Sequence, residues 1–339
     1  MKFSDIVGQK TAKKFLGQVM ASAKIPHAYL FTGIPGVGKT STAMAFAMAL
    51  NCKEPKELDG CGLCPSCRQL LGGNHPDFIS ISPENQNIGI EKIKELNRGL
   101  SFAPMSGRYR VCVIHQAEAM SEEAANSFLK TLEEPPPGNI LILKVMEPLD
   151  LLPTIVSRCQ KVPFRPLTVR EITQWLVNNG IEKDAALLLA GISGGSLGRA
   201  LKMSGGDFLE KRNTWLGRLE KLPALSKVEA LNMALECAEE DRKKGIDISS
   251  SGEAGMLDML SAWTNWYRDL LILKVGGPAD LLINGDFAKS LKKLAENYKI
   301  DALVDSILLV DQAQSDIRRM RNPILAMEHA VLGLKGLCG

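Results

Sequence analysis

Gly33-Ile34-Pro35-Gly36-Val37-Gly38-Lys39-Thr40 fits G-x-x-x-x-G-K-[ST] at every fixed position. Its flanks make it a physical site. Ala28-Tyr29-Leu30-Phe31-Thr32 is a short apolar run with strand character, and Ser41 to Leu50 is Ala- and Met-rich and reads as a helix. The glycines let backbone N–H groups approach phosphate oxygens, and the helix N-terminus adds partial positive charge. Gly33, Gly36, Val37, Gly38 and Ser41 are therefore expected around a phosphate tail. Lys39 is expected to reach the β- and γ-phosphates, and Thr40 to offer its hydroxyl to Mg²⁺. The implied ligand is ATP with Mg²⁺.

Around this loop, residues 1–165 alternate strand and helix signals, as an α/β parallel sheet does. The expected strands are Tyr29–Thr32, Phe78–Ile81, Arg110–Ile114, Ile140–Val145 and Lys161–Phe164. Ser121 is the expected N-cap of a helix running to Glu134, which Pro135-Pro136-Pro137 must stop. After Pro166 the character changes. Thr168-Val169-Arg170-Glu171 is a capping box opening a helix that ends near Gly180. Helical Lys183 to Ala190 follows, then glycine-rich Gly191 to Gly206. From Asp207 the pattern is helical, broken at Ile246–Gly252 and Gly276–Pro278. Met256, Leu257, Leu260, Trp263, Tyr267, Leu270 and Leu271 follow helical spacing and predict a bundle core.

The 339 residues have length for about two or three domains. A net charge of +3 leaves any nucleic-acid contact to a local patch. Met1-Lys2-Phe3-Ser4-Asp5 has no apolar signal core and no segment has the length of a membrane span, so a cytoplasmic location is expected. Cysteines there are not expected to form disulfides. Cys61-Gly62-Leu63-Cys64-Pro65-Ser66-Cys67 gives two overlapping C-x-x-C knuckles, with Cys52 nine residues upstream. Four thiolates complete a tetrahedral zinc shell with no open position, which makes the expected zinc structural. His75 is a fifth candidate ligand beside the four cysteines but is read in preference as a surface residue, and Cys112, Cys159, Cys237 and Cys338 as inert.

A P-loop ATPase also needs an acid ending a later strand to hold the Mg²⁺ shell, and many add a glutamate that polarises water. Here Arg110–Ile114 is followed by His115-Gln116-Ala117-Glu118. A neutral His115 carries no negative charge, Gln116 is no base, and Glu118 lies past the strand end, where only an unusual backbone path brings it back. The expectation is a site that binds nucleotide but cleaves it poorly.

Ile6-Val7-Gly8-Gln9, the P-loop, the cysteine insertion, Leu129-Lys130-Thr131-Leu132-Glu133-Glu134-Pro135, Ser157-Arg158-Cys159 and the C-terminal Asn322-Pro323-Ile324-Leu325-Ala326-Met327-Glu328 occur in that order. Together they resemble the bacterial clamp-loader ATPases of the AAA+ class. The resemblance implies an AAA+ domain over 1–166, a helical lid over 167–206 and a helical collar over 207–339. It places Ile6 and Val7 against the nucleotide and makes Arg158 a finger reaching a neighbour's ATP. The implied partners are gamma/tau and delta subunits, the sliding clamp and, through the assembled complex, primed DNA. His115-Gln116 stands where motor subunits of this family have Asp-Glu, Val145-Met146 where they have a polar sensor, and Gly198 where they have a second sensor arginine, with Arg199 one place on. Those departures resemble a non-hydrolysing stator. A gamma-type motor of the same family is the alternative reading, and an unrelated P-loop phosphotransferase a third.

Overall fold

The computed structural model describes residues 2–22, 24–55, 59–239, 251–319 and 321–338. The chain divides into two compact units, Met1–Lys202 and Met203–Gly339.

In the first unit β1 (Ala28–Thr32), β2 (Phe78–Ile81), β3 (Arg110–Ile114), β4 (Asn139–Val145) and β5 (Gln160–Pro163) form one sheet. Its order is β2-β3-β4-β1-β5 and every pairing is parallel. Ala28 to Phe31 and all of β3 are buried, the pattern of a sheet covered on both faces. The expected strands are present, with ends differing by one residue at most. The helices of this unit are α1 (Lys10–Ala21), α2 (Lys39–Asn51), α3 (Pro65–Leu71), α4 (Ile90–Leu100), α5 (Glu122–Glu133), α6 (Pro153–Val156), α7 (Val169–Asn178), α8 (Lys183–Ile192) and α9 (Leu197–Ser204).

Strand alternation sends Leu141, Leu143 and Val145 into one core with Ile93, Leu96, Phe128 and Leu132 of α4 and α5. On the opposite face Tyr29 meets Phe46 of α2 edge-on, with ring centres 5.4 Å apart. Lys144 belongs to the alternation opposite Leu143 and Val145. Ser121 caps α5, its Oγ accepting from the Ala124 N–H at 3.2 Å. Thr168 and Glu171 form the capping box of α7 in both directions. The glycine-rich stretch from Gly191 holds a helix, α9, that the glycine content concealed.

A buried ion pair fixes the start of β3. Asp77 accepts from the N–H groups of Met105, Ser106 and Gly107, each at 2.7 Å, and Arg110 Nη2 lies 3.5 Å away. Arg110 also donates to the carbonyls of Gly99, Phe102 and Ala103, so both terminal nitrogens are held by fixed acceptors.

The second unit is helical: α10 (Phe208–Lys221), α11 (Lys227–Glu239), α12 (Ser251–Lys274), α13 (Ala288–Asn297), α14 (Ile300–Arg318) and α15 (Pro323–Leu337). Trp263, Trp266, Tyr267 and Leu270 of α12 are buried, and all seven residues of the predicted bundle core join one cluster. The expected break at Gly276–Pro278 is present; of that at Ile246–Gly252, residues 246–250 lie outside the described residues and 251–252 belong to α12.

Candidate functional site

Parallel pairing brings the C-terminal ends of β1, β4 and β3 side by side, the usual location of a ligand crevice in such sheets. A cleft of about 680 Å³ opens there, lined by Ile6, Val7, Pro35 to Ser41, His115, Glu118, Lys144, Met146, Trp175 and Gly198 among others. Of the residues read from sequence, Gly36, Val37, Gly38, Lys39, Thr40, Ser41, Ile6 and Val7 meet at the cleft. Gly33 stands behind it. A Cβ on Gly33 would lie 2.4 Å from the Phe164 carbonyl oxygen, so only glycine lets β5 pass this close.

Lys39 is buried and donates to the carbonyls of Gly33 and Ile34. Burial lowers its pKa, while the Glu118 carboxylate favours its charged form. Gln9, which sequence placed in a motif without a role, clamps the loop from below. Its Nε2 donates to Val37 O at 3.2 Å and Arg165 O at 2.7 Å, and its Oε1 accepts from the Arg165 N–H.

The cation side of the cleft differs from expectation. Thr40 Oγ1 accepts a hydrogen bond from Lys144 Nζ. Lys144 Nζ also lies 2.6 Å from His115 Nδ1, and His115 Nε2 lies 2.8 Å from Ser80 Oγ. Facing an ammonium, Nδ1 must accept, so the ring proton sits on Nε2 and is donated to Ser80. Burial and the Lys144 charge push His115 down to about 4, which keeps the ring neutral near pH 7. Burial and the Lys39 charge lower Lys144 to about 8, with Glu118 opposing. Gln116, at φ 48°, and the tight turn Ala117–Ala119 supply the unusual path that returns Glu118 to the cleft, where no hydrogen-bond partner meets its buried Oε2. A dication here needs the Thr40 hydroxyl and a strand-end acid. The hydroxyl is engaged by an ammonium and the strand ends in an imidazole, so the residues present do not fit Mg²⁺.

Gly198 is packed directly against the loop. Gly198 N–H donates to Gly36 O at 2.9 Å, and Ser196 Oγ donates to Pro35 O at 2.8 Å. A Cβ on Gly198 would lie 2.9 Å from Gly36 Cα. α9 thus seats directly on the loop, which excludes any side chain at 198.

At the other end of α2 the thiol sulfurs of Cys52, Cys61, Cys64 and Cys67 all lie within 4.8 Å of one another. Tetrahedral zinc places sulfurs roughly 3.8 Å apart, so this cage can hold a metal ion. Cys52 is the C-cap of α2, and Cys64 caps α3, accepting from the Cys67 N–H. Against the cost of burial, N–H groups of Lys53 and Cys67 hold the Cys64 thiol down to about 6. Burial pushes Cys112 and Cys159, away from the cage, up to about 12. His75 is not a surface residue. It is buried, its Nδ1 accepts from the Asp77 N–H at 3.1 Å, and its Nε2 lies 3.0 Å from Ser66 Oγ, where it buttresses α3.

Arg158 is exposed and is not among the residues lining the cleft. Its Nη2 pairs with Glu133 Oε1 at 2.6 Å and its Nη1 donates to Thr154 O at 2.9 Å. Two motifs distant in sequence, Leu129–Pro135 and Ser157–Cys159, thereby meet in one ion pair. Sequence reasoning assigned no role to Glu133, Gln9, Ser196 or Lys144. Gln9 and Glu133 stood inside quoted motifs, and Lys144 left a signal as a lysine within an otherwise apolar strand.

The sequence profile of the family described as "DNA polymerase III, delta subunit" matches residues 8–168. The delta' subunit of DNA polymerase III from Bacillus subtilis is 30% identical over 96% of both chains. The tau subunit of the same organism is 29% identical over 98% of this chain, which spans 61% of that protein's length. A crystal structure of a gamma subunit-related protein from Thermotoga maritima aligns with a TM-score of 0.48 and 18% identity, covering 97% of this chain and 100% of that one. The chain belongs to the family of bacterial DNA polymerase III clamp-loader subunits. Among the described residues no helix is long and apolar enough to cross a membrane.

Proposed function

We propose that this member of the clamp-loader family is a delta-prime-type stator, which presents Arg158 to a neighbouring subunit's ATP and turns over little or none of its own. Its partners are gamma/tau and delta subunits, and through them it helps place the sliding clamp on primed DNA in the cytoplasm. Zinc, held by Cys52, Cys61, Cys64 and Cys67, is structural. The domains are the AAA+ module to residue 166, the lid to 206 and the collar beyond.

The observation that carries the reading is an asymmetry between cis and trans. The cleft lacks a strand-end acid and has an ammonium on its cation-facing hydroxyl. Arg158, by contrast, is held outside that cleft by Glu133 and is free to face a partner. A guanidinium neutralises charge developing on a γ-phosphate, and such fingers accelerate turnover by about 10³–10⁵-fold in other nucleotidases. Support for assembly comes from α14, whose Ile300, Val304 and Leu308 form an exposed apolar stripe at helical spacing.

The test is reconstitution. Arg158→Ala is expected to slow clamp loading by the complex at least about tenfold while leaving folding and assembly intact, a larger loss than Lys39→Ala gives. Loading at the parental rate would remove the finger and leave a passive scaffold. A gamma-type motor is the second reading, favoured by the Glu118 carboxylate in the cleft. A robust ATPase of the isolated chain, abolished by Lys39→Ala, would establish it.

A further inference from the structure

Resting on the reading of the cleft as a nucleotide site, we propose that Lys144 takes the place of the divalent cation, so that the cleft holds the phosphate tail of a nucleoside di- or triphosphate without metal. Three features lead there. Thr40 Oγ1, the oxygen a P-loop turns toward its cation, accepts from the Lys144 ammonium. The ammonium's second contact is His115 Nδ1, a neutral acceptor where an acid would otherwise stand. The third is topological. β4 lies between β1 and β3, with Phe31 opposite Lys144 and Ile114 opposite Leu143, so a lysine near the end of β4 is bracketed by both strand ends.

A dication seated on Thr40 would press against this ammonium with Lys39 close by. An ammonium at the same point carries positive charge to phosphate oxygens and brings three donors with it. The two replacements are chemically complementary: an acid is lost where no metal needs holding, and a lysine is gained where charge is still required. Of the acids lining the cleft, Asp5 accepts from the Lys2 N–H, and Glu118 lies where it favours the charged form of both lysines. Glu118 thus keeps Lys144 cationic rather than acting as one ligand of a metal shell.

The experiment is calorimetric titration of the full chain with ATP and with ADP, in excess EDTA and in excess Mg²⁺. The expected result is binding in EDTA at least as tight as in Mg²⁺. Lys144→Met should weaken binding in EDTA about tenfold or more, and Lys144→Arg should keep most of it. Should Lys144→Met fail to melt cooperatively, the wild-type comparison and Lys144→Arg decide. Binding that needs Mg²⁺, or no binding under either condition, overturns the proposal. No binding together with Arg158-dependent clamp loading overturns it while leaving the stator reading intact. Mg²⁺-dependent binding together with a Lys39-dependent ATPase overturns both.

Discussion

The two ends of α2 carry two cation sites of opposite kinds. The helix is 13 residues long, with the P-loop leading into its first turn and Cys52 capping its last. At the C-terminal end all four donors are present and gathered within 4.8 Å. At the N-terminal end the motif is complete, yet its hydroxyl is engaged by an ammonium and the strand end carries an imidazole in place of an acid. The difference lies in where each site is encoded. The P-loop motif specifies phosphate contacts made by local backbone, whereas its metal shell is assembled from the ends of β3 and β4. Phosphate binding and metal binding can therefore separate. The thiolate cage draws its ligands from the end of α2, the short loop after it and the first turn of α3, all within 16 residues, and the motif and the site coincide.

The largest expected effect tests the intact end. Protein purified without chelator should contain one zinc per chain by elemental analysis, and Cys67→Ser should lose it. Structural zinc contributes over ~10 kcal/mol in isolated finger peptides, but here the module leans on a larger core, so a loss of about 4–6 kcal/mol is expected. For a unit of this size that is a fall in Tm of roughly 10–20 °C, read by calorimetry. Nucleotide affinity should change little, because the loop's contacts with Gln9 and α9 lie at the far end of α2. A metal-free native protein would erase the contrast between the two ends.

A smaller effect probes the remodelled end. Gly198→Arg adds a long side chain whose Cβ meets Gly36 Cα at 2.9 Å. Backbone on both sides leaves no flexible group to yield, so α9 must lift from the loop. The expected outcome is a loss of about 1–3 kcal/mol in urea unfolding, with increased amide exchange at Gly36 and Gly198. Unchanged stability would show that α9 does not rest on the loop.

The same contrast explains what sequence could reveal. The P-loop, the Ser121 cap, the Thr168 box and the cysteine knuckles are local patterns, each complete within a few residues. The strands were readable because burial on both faces leaves unbroken apolar runs. The Lys144–Thr40 bond spans 104 residues and the Ser196–Pro35 bond 161, and no local rule announces either. His75 looked like surface because a histidine beside Asn74 and Pro76 reads as loop; only the fold brings Ser66 against it. Lys144 gives no role from sequence, because a single lysine near a strand end is ordinarily a solvent-facing residue.

The smallest expected effect asks whether His115 is the neutral acceptor that the arrangement requires. Its folded pKa of about 4 lies below the ordinary 6.5, so between those values the unfolded chain binds a proton that the folded chain does not. Stability should therefore fall as pH drops from 6.5 toward 4. Lys144, at about 8 against 10.5, makes its own contribution only at alkaline pH, where stability rises across that window. Burial lowers His75 as well, so the parent's acid limb carries both histidines and the difference between parent and variant reads His115 alone. Discounted for its partial exposure, His115 should account for about 1 kcal/mol of the difference between pH 7 and pH 5. Urea unfolding of His115→Gln at the two pH values should show a limb shallower by that amount, since glutamine does not titrate and its amide oxygen can still accept from Lys144. A limb as steep as the parent's would mean that the imidazole titrates freely. The Lys144–His115 hydrogen bond would then not hold, and the N-terminal end of α2 would regain room for a dication.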